Sequence, residues 1–261
     1  VANIAVPVIG DYAIEPDENF SVILSDPVGA TISNALGSAT ITNDDIAGSI
    51  QFGSATYNVT EGGTNASLTV TRSGGSASGV SVDYSTGGGT ATGDQDYRSA
   101  AGTLTFGANE SSKTIPVTII DDAIDEPDET FNVSLSNQSP GATLGTPSVA
   151  QVTIIDNDPP PNMTINDVSI QEGNSGITNA VFTVRLSATS GRTITVNYSS
   201  GDGTATAGSD YQSVSGTLTF LPSILSQTIS VPINGDTNYE SDEFFNIDLS
   251  EPSNVVIVDG Q

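Results

Sequence analysis

The side chains able to do chemistry in this chain are almost all carboxylates. Thirty-one Asp and Glu face five cations (Arg72, Arg98, Lys113, Arg185 and Arg192), for a net charge of −26, and Cys, His and Trp are absent. Neither a disulfide framework nor a zinc site can be built, nor a Cys- or His-based nucleophilic centre. Paired carboxylates such as Asp94 and Asp96 could serve as glycosidase acid and nucleophile. The chain has no Trp to carry a sugar ring, so the expectation is a protein that is not an enzyme. A surface this acidic repels nucleic acid and anionic membranes, which need cationic contacts to phosphate. It attracts cations.

The acids are grouped. Between residues 47 and 158 all but Asp83 and Glu110 fall in four short segments: Glu61 in NVTEGG, Asp94 and Asp96 in GDQDY, Asp121 to Glu129 in one interstrand stretch, and Asp156 with Asp158. Glu172, Asp210, Asp236, Glu240 and Glu243 stand in matching places further on. Two carboxylates about 4 Å apart repel by about 4 kcal/mol at an effective dielectric of 20. A cluster of five or six is tolerable with a cation inside it. Calcium suits, because it takes 6–8 oxygens in irregular geometry, whereas magnesium demands a stricter octahedron and softer metals want thiolate or imidazole. The plainer alternative is an acidic coat that maintains solubility. The Gly-rich stretch 87–93 lacks the Lys of a phosphate cradle and is expected to be a turn. Tyr97 and Tyr211, each following an Asp, are expected to pack inward.

The elements that position these acids are repeated. VTIIDDAIDEPDETFNVSLS (117–136) matches VPVIGDYAIEPDENFSVILS (6–25) and VPINGDTNYESDEFFNIDLS (231–250), with Glu15, Glu126 and Glu240 in register. GGGTATGDQDYRSAAGTLTF (87–106) matches GDGTATAGSDYQSVSGTLTF (201–220), and ATITNDD (39–45) matches VTIIDND (152–158). Residues 1–46 are then the C-terminal half of a repeat, 47–158 a complete repeat, and 159–261 a repeat without its last strand. The chain opens in mid-pattern, as a fragment of a longer protein would. The linker Pro159–Pro161 is stiff, and the Ile46–Gly48 junction is very short. Apolar residues alternate with period two, as in Leu68/Val70, Ile115/Val117/Ile119 and Phe131/Val133/Leu135. About seven short strands in about 110 residues predict an all-β fold of tandem antiparallel immunoglobulin-like sandwiches.

The Asp121–Glu129 loop, the VTEGG segment, the GTATxGxDY turn and the closing DND together resemble the Calx-beta repeats, known from sodium–calcium exchangers, integrin β4 and bacterial surface proteins. The resemblance implies calcium at one tip of each sandwich. By position the family's ligands fall on Glu61, Asp96, Asp121, Asp122, Glu126, Glu129, Asp156 and Asp158, with the carbonyl of Ile124. The counterparts are Asp11, Glu15, Glu18, Asp44 and Asp45 in the first unit. In the third they are Glu172, Asp210, Asp236, Glu240 and Glu243. Gly10 and Gly235 replace Asp121, and no closing acids follow the third repeat's strands. The middle repeat is therefore expected to hold calcium best and the third weakly.

The expected function is a calcium-rigidified spacer of a larger secreted or surface protein, serving cell adhesion or cell communication. A calcium-sensing regulatory domain is the alternative, and a carbohydrate-binding module the third. Expected partners are calcium, adjacent repeats and other surface proteins or glycans, with strand completion by a neighbouring molecule at the open ends. The expected setting is extracellular or at the cell surface.

Overall fold

A computed structural model describes residues 1–261 as strands and loops without a helix. Thr, Val and Ile, which pack well on a pleated surface, recur throughout its strands. Contacts divide the chain into two compact units, residues 1–121 with 129–154, and residues 155–261 together with the loop 122–128.

The first unit opens with a two-stranded antiparallel ribbon, β1 (Glu18–Ile23) and β2 (Leu36–Ile41), in which Phe20 lies opposite Ala39. The chain then forms β3 (Ser49–Phe52), β4 (Thr56–Thr60), β5 (Asn65–Ser73), β6 (Val80–Gly89), β7 (Ala101–Phe106), β8 (Ser112–Thr118), β9 (Glu129–Ser136), β10 (Thr143–Leu144) and β11 (Val149–Ile155). One sheet has the order β10-β3-β5-β8 and the other β4-β11-β9-β6-β7. There are nine strands here rather than seven. Gly53 and Ser54 break the first apolar run, so β3 joins one sheet and β4 the other, and the two-residue β10 has no period to reveal it.

The alternating positions fill the space between the sheets: Leu68, Val70, Ile115 and Val117 on one side, and Val82, Phe131, Val133 and Val152 on the other, all at most 1% exposed. A fully buried aliphatic or aromatic side chain contributes about 1.5–3 kcal/mol, so this layer fixes the strand ends from which the acidic loops spring.

The second unit repeats the plan with β12 (Asn162–Ile165), β13 (Gly176–Leu186), β14 (Ile194–Asp202), β15 (Ser215–Phe220), β16 (Ser226–Gly235), β17 (Phe245–Ser253) and β18 (Val256–Asp259). Its sheets are β16-β13-β12-β18 and β15-β14-β17, around Met163, Val184, Val196, Phe220 and Val231. The sequence implied one absent strand, but the second sheet lacks two. The counterpart of β11 is absent, and the segment matching β4 stays irregular, because in the first unit β4 has β11 as its only sheet neighbour.

Candidate metal centre

One acidic cluster lies wholly in the second unit. Asp210, Glu240 and Glu243 bring carboxylate oxygens within 4.8 Å of one another, in a cleft of about 580 Å³ that Glu172, Asp242 and Tyr211 also line. Local hydrogen bonds set each loop. The amide of Thr206 donates to Oδ2 of Asp210 at 2.6 Å, and Asn234 donates to the Asp210 carbonyl at 2.8 Å. Beneath them Tyr211, 1% exposed, stacks on Phe245 at 4.5 Å. On the facing loop, Asp236 Oδ1 accepts from the amide of Asn238 at 2.6 Å, a side-chain-to-backbone turn that fixes the approach to Glu240.

Electrostatics mark this cluster as unsatisfied. Desolvation first, then the charges of Asp236, Asp210, Glu243 and Glu172, hold the Glu240 carboxyl above its ordinary range. Desolvation, then the charge of Asp210, a hydrogen bond to it and the charge of Glu172 do the same to Glu243. None of the chain's five cations forms an ion pair in this cluster. A divalent cation would offset both the desolvation and the like charges that raise these two carboxyl groups.

The same local devices recur in the first unit. Thr92 donates to Asp96 Oδ2 at 2.5 Å, Ile120 donates to the Asp96 carbonyl at 2.9 Å, and Tyr97 stacks on Phe131 at 4.1 Å. Both Tyr97 and Tyr211 pack inward, as the sequence indicated. Asp96 and Glu129 bring carboxylate oxygens within 4.8 Å of each other. Glu61, at the end of β4, is 7% exposed.

Loop 122–128 and the segment after β11, both in the second unit, hold further acids of the middle repeat. Asp122 Oδ1 caps the amide of Ile124 at 2.8 Å, which turns the loop, and Asp121 is exposed while Glu126 is half-buried. Asp156 and Asp158 bring oxygens within 4.8 Å of each other. Oδ1 of Asp156 is buried with no hydrogen-bond donor, the position of an oxygen suited to a cation. The donors throughout are carboxylates and carbonyls, the set that hard cations take.

Two placements differ from expectation. Asp11, Glu15, Glu18, Asp44 and Asp45 join none of these acidic groups. Asp11 caps Ala13 at 2.7 Å as Asp122 caps Ile124, but the ribbon β1–β2 has no counterparts of Glu61 and Asp96 beside it. The third repeat, expected to be the weaker, gathers Asp210, Glu240 and Glu243 although Gly235 replaces the first Asp.

Sequence reasoning placed Asp125 in the acidic stretch but gave it no role of its own. It is 6% exposed and is held inside the second unit. Ser190 Oγ donates to its Oδ2 and to its carbonyl, each at 2.9 Å. Arg192 Nε pairs with its Oδ1 at 3.0 Å, and Arg192 Nη2 donates to the Glu126 carbonyl and lies 3.9 Å from Asp156 Oδ2. The available signal was Arg192 itself, one of five cations, standing where the preceding repeat has Ser78.

Sheets, loops and acids of this kind recur in known proteins. A family model for the Calx-beta domain matches residues 1–45, 43–158 and 162–259. The chain belongs to the Calx-beta domain family. Among curated proteins it is similar to sodium/calcium exchanger 1 of Canis lupus familiaris, 34% identical over 231 residues, which is 81% of this chain and 24% of the exchanger. It is likewise similar to sodium/calcium exchanger 2 of Homo sapiens, 33% identical over 226 residues, 80% of this chain and 24% of the exchanger. The chain thus spans about a quarter of the length of these relatives. Among solved structures, CBD12 from CALX1.2 aligns at 28% identity and a TM-score of 0.43, covering 81% of this chain and 83% of that one. The apo-form Calx CBD1 domain aligns at 33% identity and a TM-score of 0.41, covering 42% of this chain and 96% of that one.

These matches correct the expected setting. The curated relatives are sodium/calcium exchangers, and this similarity contradicts the extracellular or cell-surface setting. Acidity and tandem repetition therefore carry no information about compartment here.

Proposed function

We propose that this chain is a non-catalytic, calcium-binding regulatory module of a larger protein, in which calcium occupancy orders the acidic loops at the strand ends. The observation that carries the reading is the Asp210–Glu240–Glu243 cluster, with two glutamates held above their ordinary range by desolvation and then by neighbouring carboxylates. Calcium there would be held by these three residues with Glu172 and Asp236. In the middle repeat the pairs Asp96–Glu129 and Asp156–Asp158, and the residues Glu61, Asp121, Asp122, Glu126 and the Ile124 carbonyl, are read as ligands from their resemblance to the family's pattern. Residues 47–158 and 159–261 are the repeats that carry these sites.

The test is calorimetric titration of EDTA-stripped protein with calcium. Binding of more than one ion, with one component abolished in Glu240→Gln/Glu243→Gln, supports the reading. The absence of binding heat overturns it and leaves the acids as a solubility coat.

A second reading, a stiff spacer, is favoured by the short Ile46–Gly48 junction and by Pro159–Pro161. Affinity separates the two. Micromolar or tighter binding fits a regulatory sensor, and millimolar binding a spacer. The ribbon β1–β2 leaves Ile23, Leu24 and Leu36 exposed and both strand edges unpaired, so a partner strand from another molecule can complete it. Light scattering across a concentration series reads this directly, and a monomer at every concentration contradicts it.

A further inference from the structure

Arg72, in β5, is a cation buried without an anion. It is 3% exposed and takes part in no ion pair. Its guanidinium instead donates to four backbone carbonyls. Nε reaches Ala47 at 2.6 Å. Nη1 reaches Ser78 and Gly107, each at 3.1 Å, and Nη2 reaches Ala77. Burial lowers its pKa from the ordinary value, but a guanidinium stays charged at any physiological pH.

The segments it joins approach each other closely. Gly48 has a φ of +85°, and a Cβ on it would lie 2.2 Å from the Gly75 carbonyl oxygen. A Cβ on Gly75 would lie 2.3 Å from the Ile46 carbonyl oxygen. The amide of Ala77 donates to the Ile46 carbonyl at 3.1 Å and that of Ser78 to the Tyr12 carbonyl at 2.7 Å, while Ile14 donates to Ser78 Oγ at 3.1 Å. All of these groups belong to the first unit.

We infer that Arg72 is a built-in cation, a positioning residue that locks residues 46–48 and the Tyr12–Ile14 loop onto the turn 73–78 whether or not calcium is present. Carbonyl oxygens are also what a calcium ion would take, but a side chain covalently tethered to β5 cannot be removed by a chelator. A buried, fully hydrogen-bonded charge fixes its partners, because any displaced carbonyl leaves both it and the guanidinium short of a partner. This junction is then constitutive, and the calcium response of the module lies in other loops. The inference stands apart from the calcium reading, because its decisive arm is a substitution at Arg72.

Amide hydrogen exchange tests it, in calcium and in EDTA. In the native chain the amides of Ala77, Ser78 and Ile14 should be equally protected in both. In Arg72→Met they should exchange at least about tenfold faster, the loss of roughly one or two net hydrogen bonds, while Val82 and Phe131 stay protected. Arg72→Lys, with three donors in place of five, should fall between and keeps the test available if the Met variant fails to fold. Ser78→Ala should free Ile14 and leave Ala77 protected. Loss of protection at Ala77 in EDTA, or unchanged exchange in Arg72→Met or Arg72→Lys, overturns the lock.

Discussion

Two turns of the molecule make the same contact with different chemistry. In the first unit the turn 76–78 receives the Tyr12–Ile14 loop through neutral groups, with the amide and hydroxyl of Ser78 donating to the Tyr12 carbonyl at 2.7 and 3.2 Å. In the second unit the turn 190–192 receives the loop 122–128 through a buried ion pair, Asp125 with Arg192. Ile14 and Asp125 are matching residues, as are Ser78 and Arg192, while Arg72 is matched by Leu186. Each turn is thus met by one Arg, Arg72 reaching it from β5 in the first unit and Arg192 standing within it in the second. Arg72 solvates only carbonyls and is indifferent to the acids. Arg192 neutralises a carboxylate and lies 3.9 Å from a second, Asp156. One contact engages no carboxylate, and the other engages Asp125 and lies beside Asp156.

The sharpest break of this comparison is Arg192→Met, which leaves Asp125 buried without its counter-charge. Stranding one partner of a buried pair costs about 3–5 kcal/mol, and the partial exposure of Arg192 argues for the lower end, about 3 kcal/mol. Chemical denaturation monitored in the second unit reads it. An intermediate effect is expected from Asp125→Ile/Arg192→Ser, which writes the first unit's pair into the second. Neutral groups of fitting shape should recover most of the loss, and double-mutant analysis gives the coupling directly.

Salt gives a smaller effect. Raising ionic strength to about 1 M, where the screening length is about 3 Å, should weaken the contribution of the Asp125–Arg192 pair to the second unit in the native chain. It should not do so in Asp125→Ile/Arg192→Ser, nor at the first unit's Arg72.

The smallest expected effect concerns Tyr211 and Asp202. The Tyr211 hydroxyl donates to Asp202 Oδ1 at 2.6 Å. This bond, followed by that from the Ala207 amide, holds the Asp202 carboxyl below its ordinary range. A carboxylate with a depressed folded pKa contributes stability above its unfolded pKa and loses it as pH falls through the folded value. Tyr211→Phe should therefore melt earlier than the native chain at neutral pH, with the gap closing in acid. In parallel, NMR titration should place Asp202 closer to its ordinary value.

Much of this was legible in the residues. Period-two alternation located the layers that Leu68, Ile115, Phe131 and Val152 fill, because one face of each strand must be apolar. Internal repetition placed Asp210, Glu240 and Glu243 in matching loops, where the fold gathers them. What stayed hidden was set by pairing across the fold. Nothing near β4 announces that it needs β11, so the irregularity of its third-repeat counterpart could not be foreseen from local pattern. The first unit's acids, Asp11 to Asp45, carry the family's residue types, yet a cluster needs loops from strands that the ribbon lacks. Arg72 and Arg192 looked alike as isolated cations in an acidic chain. Only the structure distinguishes a guanidinium held by four carbonyls from one held by a carboxylate.

The most direct test of the calcium reading is a pair of melting curves on chelator-stripped protein, with and without calcium, and magnesium as a control. Calcium at about 100 times its dissociation constant should add about 2.7 kcal/mol of stability per site. The account predicts a clear rise in melting temperature, specific to calcium and reduced in Glu240→Gln/Glu243→Gln. Identical curves with and without calcium, or an equal rise with magnesium, would contradict it.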